Sequence, residues 1–205
     1  MGPQTPMPDL EALAVLENEG MARAGRAQDA ALKEAPIVVL CSAPVSPGKA
    51  VLAFGGALAA VEASVDKAVA VLGSSLVDNL LLPGVHSDVA AALHGKHEPV
   101  TPDTQSAAAI LELETVAATL ASADAALKSA DVGLSRLHLA TGFGGKGYFT
   151  IVGAQHDVEA AAERVYHVAG GRLLDSELIA APHPDWQASL FRRPWPLDPA
   201  LGENE

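Results

Sequence analysis

Residues 12–19, Ala-Leu-Ala-Val-Leu-Glu-Asn-Glu, a short apolar run followed by three polar positions, predict a β-strand. Gly20 breaks it. Over residues 21–35 the spacing becomes helical: Ala24, Ala27, Ala31 and Ala35 fall on one stripe, with Arg23, Arg26, Asp29 and Lys33 interspersed. A stripe of such small residues lets a helix lie close on a sheet. Pro36 ends the helix. Residues 37–41 are apolar and partly β-branched and predict a buried strand, with Cys41 as a small buried side chain on it. Two prolines and a glycine make 42–48 a loop. A strand over 50–54, an amphipathic helix over 57–72 (Val61, Val65, Val69 and Leu72 on one face), a strand over 75–82 and a short helix over 87–93 complete the unit.

The same order then returns. Residues 108–114 predict a strand, 115–130 a helix, 132–140 a strand, 148–152 a strand, 158–169 a helix, 172–180 a strand and 184–191 a short helix. The residues repeat with it. Asp29-Ala-Ala-Leu-Lys33 recurs as Asp124-Ala-Ala-Leu-Lys128, and Glu17 and Glu19 recur as Glu112 and Glu114, all 95 positions on. Beyond the second strand the offset becomes 97: Lys49 matches Lys146, Gly56 matches Gly153, Asp78 matches Asp175 and His86 matches His183. Two extra residues therefore fall in the loop before Lys146. The chain divides into an arm (1–9), a first domain (10–94), a linker (95–107), a second domain (108–192) and a tail (193–205). Helices on one face of a four-stranded, mainly antiparallel sheet make each domain an α+β unit.

Composition narrows the function. The 205 residues carry a net charge of −12, which disfavours nucleic acid and anionic membrane surfaces as partners. One cysteine excludes an internal disulfide and a CxxC metal site. No apolar run approaches the roughly 20 residues of a membrane span, so a cytoplasmic protein is expected. No catalytic constellation is present. Gly142-Phe-Gly-Gly-Lys-Gly147 satisfies G-x-G-x-x-G, but a strand follows it, and a dinucleotide loop needs a helix there. His94, His97 and Glu98 match no zinc spacing. Ser42 and Ser46 lack a nucleophile elbow, and the paired glutamates have no histidine beside them.

Both copies resemble the bacterial microcompartment shell domain. Ala12-Leu-Ala-Val-Leu-Glu17 and Asp29-Ala-Ala-Leu-Lys33-Glu-Ala35 match its first strand and the end of its first helix. So do Ala109-Ile-Leu-Glu112 and Asp124-Ala-Ala-Leu-Lys128-Ser-Ala130. Ser46-Pro-Gly-Lys49 and Gly142-Phe-Gly-Gly-Lys146 resemble its pore loop, and Pro83-Gly-Val-His86 and Pro182-His183 its closing motif. Two unpermuted copies resemble the trimeric, pseudohexameric class. The resemblance implies a structural role: a homotrimeric tile packed beside hexameric and pentameric tiles in the shell facet, with a central pore for small metabolites. It implies a pore lined by Ser46, Pro47, Gly48, Gly142, Phe143, Gly144 and Gly145, suited to small polar or anionic solutes. It implies tile-edge roles for Lys33, Lys128, His86 and His183; for the histidines, satisfaction by backbone is the other reading. Where the family often has an arginine before the closing histidine, this chain has Gly84 and Ala181. Some similar proteins hold an iron–sulfur cluster on a cysteine at the Ser46 position; serine implies no cluster and no cofactor here. Lys49 and Lys146 either add positive potential at the pore or form strand-edge ion pairs. A second reading is a trimeric ferredoxin-like regulator that binds an anionic effector on its glycine loops.

Overall fold

The computed structural model describes residues 11–101, 106–183 and 185–186. The arm, the tail and most of the expected helix over 184–191 lie outside that set; Asp185 and Trp186 are helical. The first domain runs β1 (Ala12–Glu19), α1 (Met21–Glu34), β2 (Val38–Val45), β3 (Lys49–Gly56), α2 (Leu58–Leu72), β4 (Leu76–Pro83) and α3 (Ser87–Leu93). The second runs β5 (Ala107–Leu113), α4 (Val116–Ser129), β6 (Val132–Leu139), β7 (Gly147–Gly153), α5 (Gln155–Ala169) and β8 (Leu173–Ala180). Each forms a four-stranded sheet in which every paired neighbour is antiparallel, ordered β2-β3-β1-β4 and β6-β7-β5-β8. The expected α+β duplication is therefore present.

One face of each sheet carries its own two helices. In the first domain Ala12, Ala14 and Leu16 of β1 meet Ala27 and Ala31 of α1 and Val61, Ala68 and Leu72 of α2. The alanine stripe brings α1 and α2 close enough for Ser64 Oγ to donate to Ala31 O at 3.1 Å. The other face of β1 does not meet water. Leu13 and Val15, with Val51 of β3, join the core of the second domain beside Val116 and Leu120 of α4. One apolar cluster thus crosses the domain boundary, and the central strand β1 is buried on both faces.

Four expectations change. The strand β2 continues through Ser42–Val45, leaving only Ser46–Gly48 as loop. Pro44 is tolerated there because β2 is an edge strand, where a missing N–H breaks no second ladder. Cys41 is exposed, not buried, for the same reason: β2 has a neighbour on one side only. Atoms crowding its sulfur still desolvate it and push its thiol pKa up. Ser75 and Arg172 belong to 3-10 turns that precede β4 and β8. The helix α5 also starts three residues early, at Gln155.

The linker is packed. Val100 N–H donates to Leu134 O at 3.1 Å, and His97 Nε2 lies 2.7 Å from the same oxygen. Both contacts lie along the outer edge of β6. Gly133 makes room: a Cβ there would come within 2.6 Å of the Val100 side chain.

Candidate functional site: the domain junction and its glycine loops

The two glycine loops meet within one chain. Lys49 Nζ donates to Gly145 O at 3.1 Å. A Cβ at Gly145 would fall 2.5 Å from Ser46 O, and its φ is +75°, so glycine is required twice over. Around this contact Pro47, Gly48 and Gly144 line a cleft of about 620 Å³ with Glu19, Glu114, Lys49 and Lys146. Of the expected pore residues, the structure thus brings Ser46, Pro47 and Gly48 against Gly144 and Gly145. Phe143 faces a different neighbourhood. Its ring packs edge-on against Tyr148, 5.3 Å between centroids, and Tyr148 stacks on His138 at 5.0 Å. Lys146 Nζ sits 4.4 Å over the Phe143 ring. That cluster holds the longer loop against its own sheet.

Both lysines next to the loops are committed to carboxylates. Lys49 pairs with Glu17 at 2.9 Å, and Lys146 pairs with Glu112. Of the two readings for these lysines, the ion pair holds. Glu17 is fully buried. Its second oxygen accepts Ala117 N–H at 2.9 Å, so a carboxylate of the first domain satisfies an open N–H at the start of α4 in the second. Thr115 is the N-cap of α4: its Oγ1 accepts Ala118 N–H at 3.0 Å and donates to Asp78 Oδ2 at 2.5 Å. Arg172 completes the group, with Nε 3.2 Å from Asp78 and Nη1 2.8 Å from Glu114. Thr115 and Arg172 carry no motif, and Asp78 stands out in the sequence only as the repeat partner of Asp175, so sequence reasoning missed their joint role. The one available signal was a threonine just ahead of an apolar helical run.

The repeated Asp-Ala-Ala-Leu-Lys segments occupy unlike surroundings. Asp124 accepts His86 N–H at 2.7 Å, and Lys128 donates to Gly84 O at 2.6 Å while pairing with Asp124. Lys128 and His86 therefore sit where the first domain ends against α4. Among the described residues Lys33 pairs only with Asp29, and both are exposed. The two histidines also close turns: Nδ1 of His86 accepts Asp88 N–H and Nδ1 of His183 accepts Asp185 N–H, each at 3.2 Å.

Burial records the same asymmetry on a larger scale. Three residues of α1 are buried, against ten in α4, although both helices have 14 residues. Leu32 is 47% exposed, and its repeat equivalent Leu127 is 6% exposed. Met21 is 40% exposed, and its equivalent Val116 is 4% exposed. The first domain covers the outer face of α4, while nothing among the described residues covers that of α1. Among the described residues, the uncovered flank of the second domain is β8, where Leu174 and Leu178 are exposed.

Known proteins share this arrangement. The BMC domain family matches twice, at residues 12–85 and 107–182. The bacterial microcompartment shell protein PduT of Citrobacter freundii is 36% identical over 175 residues, which span 84% of this chain and 94% of that one. A microcompartment protein from Desulfitobacterium hafniense superposes with a TM-score of 0.74 at 31% identity, covering 87% of this chain and 99% of the other. A fused permuted hexameric shell protein of the RMM microcompartment, at 22% identity, covering 80% of this chain and 83% of its own, with a TM-score of 0.61, shares the fold. With two matched domains and a like-sized relative, the chain belongs to the bacterial microcompartment shell proteins that carry two tandem BMC domains.

Proposed function

We propose that three copies of this chain close into a ring of six domains, a pseudohexameric tile of the microcompartment facet, with the glycine loops around a central aperture. The contrast between bare α1 and buried α4 carries this reading. The surface that the first domain presents to α4 has a repeat equivalent on the second domain, and α4 has its equivalent in α1. A surface that matches a different surface on the next copy makes a head-to-tail interface, and such interfaces close into rings. The polar contacts transpose as well. Gly84, whose carbonyl takes Lys128, has φ +61°, and its equivalent Ala181 has φ +46°. In the ring, Ala181 of one copy meets Lys33 of the next. Glu112 meets the N–H of Ala22, and Lys146 meets the carbonyl of Gly48.

The aperture is lined by Ser46, Pro47, Gly48, Gly142, Gly144 and Gly145, with Phe143 set back in its aromatic cluster. Lys49 and Lys146 are spent on Glu17 and Glu112, so the passage has no net pull on anions. Small polar metabolites are the solutes it suits. Lys128 and His86 stand at the junction inside each copy, and in the ring Lys33 and His183 stand at the equivalent junction between copies; the outer ends of these junctions form the tile rim, where neighbouring hexameric and pentameric tiles pack. The role is structural and permeative.

Light scattering after size exclusion tests the ring: a mass three times that of the chain is expected, and a monomer at all concentrations overturns it. Co-expression with a hexameric shell protein, followed by electron microscopy, tests incorporation into facets. Ser46→Cys tests the aperture. Three thiols on one axis cross-link readily with a short bis-maleimide, and absence of cross-linking in a verified trimer removes Ser46 from the axis.

A further inference from the structure

Inside the chain, one arginine locks the junction. Arg172 contacts Asp78 and Glu114 and donates from Nη2 to Val77 O at 3.2 Å. Thr115 adds a hydroxyl to the same Asp78 oxygen. In the other copy these positions change. Arg172 becomes Ser75 and Thr115 becomes Gly20, while Asp78 and Glu114 remain acidic as Asp175 and Glu19. The carboxylates are kept and their cation is gone. Asp175 is held as Asp78 is: Oδ1 accepts the next residue's N–H at 2.9 Å in both. Its Oδ2 has no partner among the described residues, and Asp175 and Glu19 are both exposed.

A cation stands close by on a different root. Arg23, in the first turn of α1, is exposed and is the repeat equivalent of Ala118. Ala118 lines a cleft of about 350 Å³ together with Asp78, Ala169 and Arg172. A long side chain at that position therefore enters a cleft walled by the aspartate. Arg23 Nη1 donates to Leu72 O at 3.2 Å, and Ser75 Oγ donates to the same oxygen at 2.7 Å. The guanidinium thus lies beside the residue that replaces Arg172.

We propose that Arg23 forms an ion pair with the partner subunit's Asp175, filling at each inter-chain junction the place that Arg172 fills within the chain. This rests on the head-to-tail ring proposed above. It also gives the ring its order. Asp78 is already engaged by Thr115 and Arg172, so Asp175 is the carboxylate of this pair left for Arg23. The second domain of one copy is thereby directed to the first domain of the next, and like domains do not pair.

The test is charge reversal in the full-length chain, read by sedimentation velocity over a dilution series at low and high salt. Arg23→Glu is expected to raise the concentration at which the trimer half-dissociates by about tenfold or more, since it places like charges together. Arg23→Glu combined with Asp175→Arg is expected to return it to near wild type. Circular dichroism of the monomers should be unchanged, because Arg23 is exposed. A trimer indifferent to Arg23→Glu, or one that Asp175→Arg fails to rescue, overturns the pair and leaves the ring standing. A wild-type chain that never trimerises refutes the ring itself.

Discussion

Leu32 and Leu127 occupy one position of the repeat, and truncating each to alanine should give different phenotypes. Leu32 is 47% exposed in the single chain, and the equivalent site in the second copy is 6% exposed. If α1 is covered as α4 is, about two-fifths of the leucine surface leaves water at each inter-chain junction. Full burial of a leucine is worth about 1.5–3 kcal/mol, so that fraction contributes about 1 kcal/mol per junction. Three junctions make about 3 kcal/mol per ring, or about a hundredfold in the association constant. That constant has units of inverse concentration squared, so the half-dissociation point should move about tenfold. Sedimentation equilibrium of Leu32→Ala reads this directly, and urea denaturation should report little change in the fold. Leu127→Ala should instead cost about 2–3 kcal/mol of folding stability, because its cavity opens inside the chain. An unchanged dissociation point for Leu32→Ala would refute the claim that α1 is covered.

Glu17→Gln removes the buried partner of Lys49, whose own ammonium is partly exposed on the cleft, and urea denaturation should report a loss of about 2 kcal/mol. The further change Lys49→Met should recover part of that loss. Gly145→Ala should destabilise the chain by more than about 1 kcal/mol in thermal melts, because it adds a clash with Ser46 O to a left-handed backbone. Gly144→Ala shares the φ, +62°, with open space around it, and should cost less. Cys41 should alkylate slowly at neutral pH. Its thiol is shifted up by desolvation, so the thiolate that reacts forms above the usual cysteine range, and the rate of iodoacetamide labelling should climb at correspondingly higher pH.

The repeat was legible because each copy folds under the same local rules. Alanines at helical spacing, Gly20 and Pro36 as breaks and the two-residue offset before Lys146 all read directly from the chain. The strand ends were less legible. Pro44 looks like a loop residue until β2 is known to be an edge, and Cys41 looks buried for the same lack of information. The glycine loops could be named, and their contact through Gly145 and Lys49 follows from packing of one domain on the other. The polar lock of the junction was not legible. Asp78, Thr115 and Arg172 come from three separate elements, and residue spacing along a chain carries no record of a triad that assembles only when two domains meet. The differing surroundings of Lys33 and Lys128 were hidden as well, since identical segments give no hint that one is covered.

The linker along β6 bears on solubility. An edge strand offers a row of unpaired backbone groups, which can template growth of a neighbouring sheet. On β6, Val100 and His97 occupy that edge at Leu134. On β2, the corresponding edge carries Val38 where β6 has Gly133, so the same cover cannot fit; Pro44 interrupts the donor row instead. The two copies thus guard against strand addition by different means. A longer linker, which would look harmless as a surface insertion, would strip β6 of its guard and show itself as aggregation during expression.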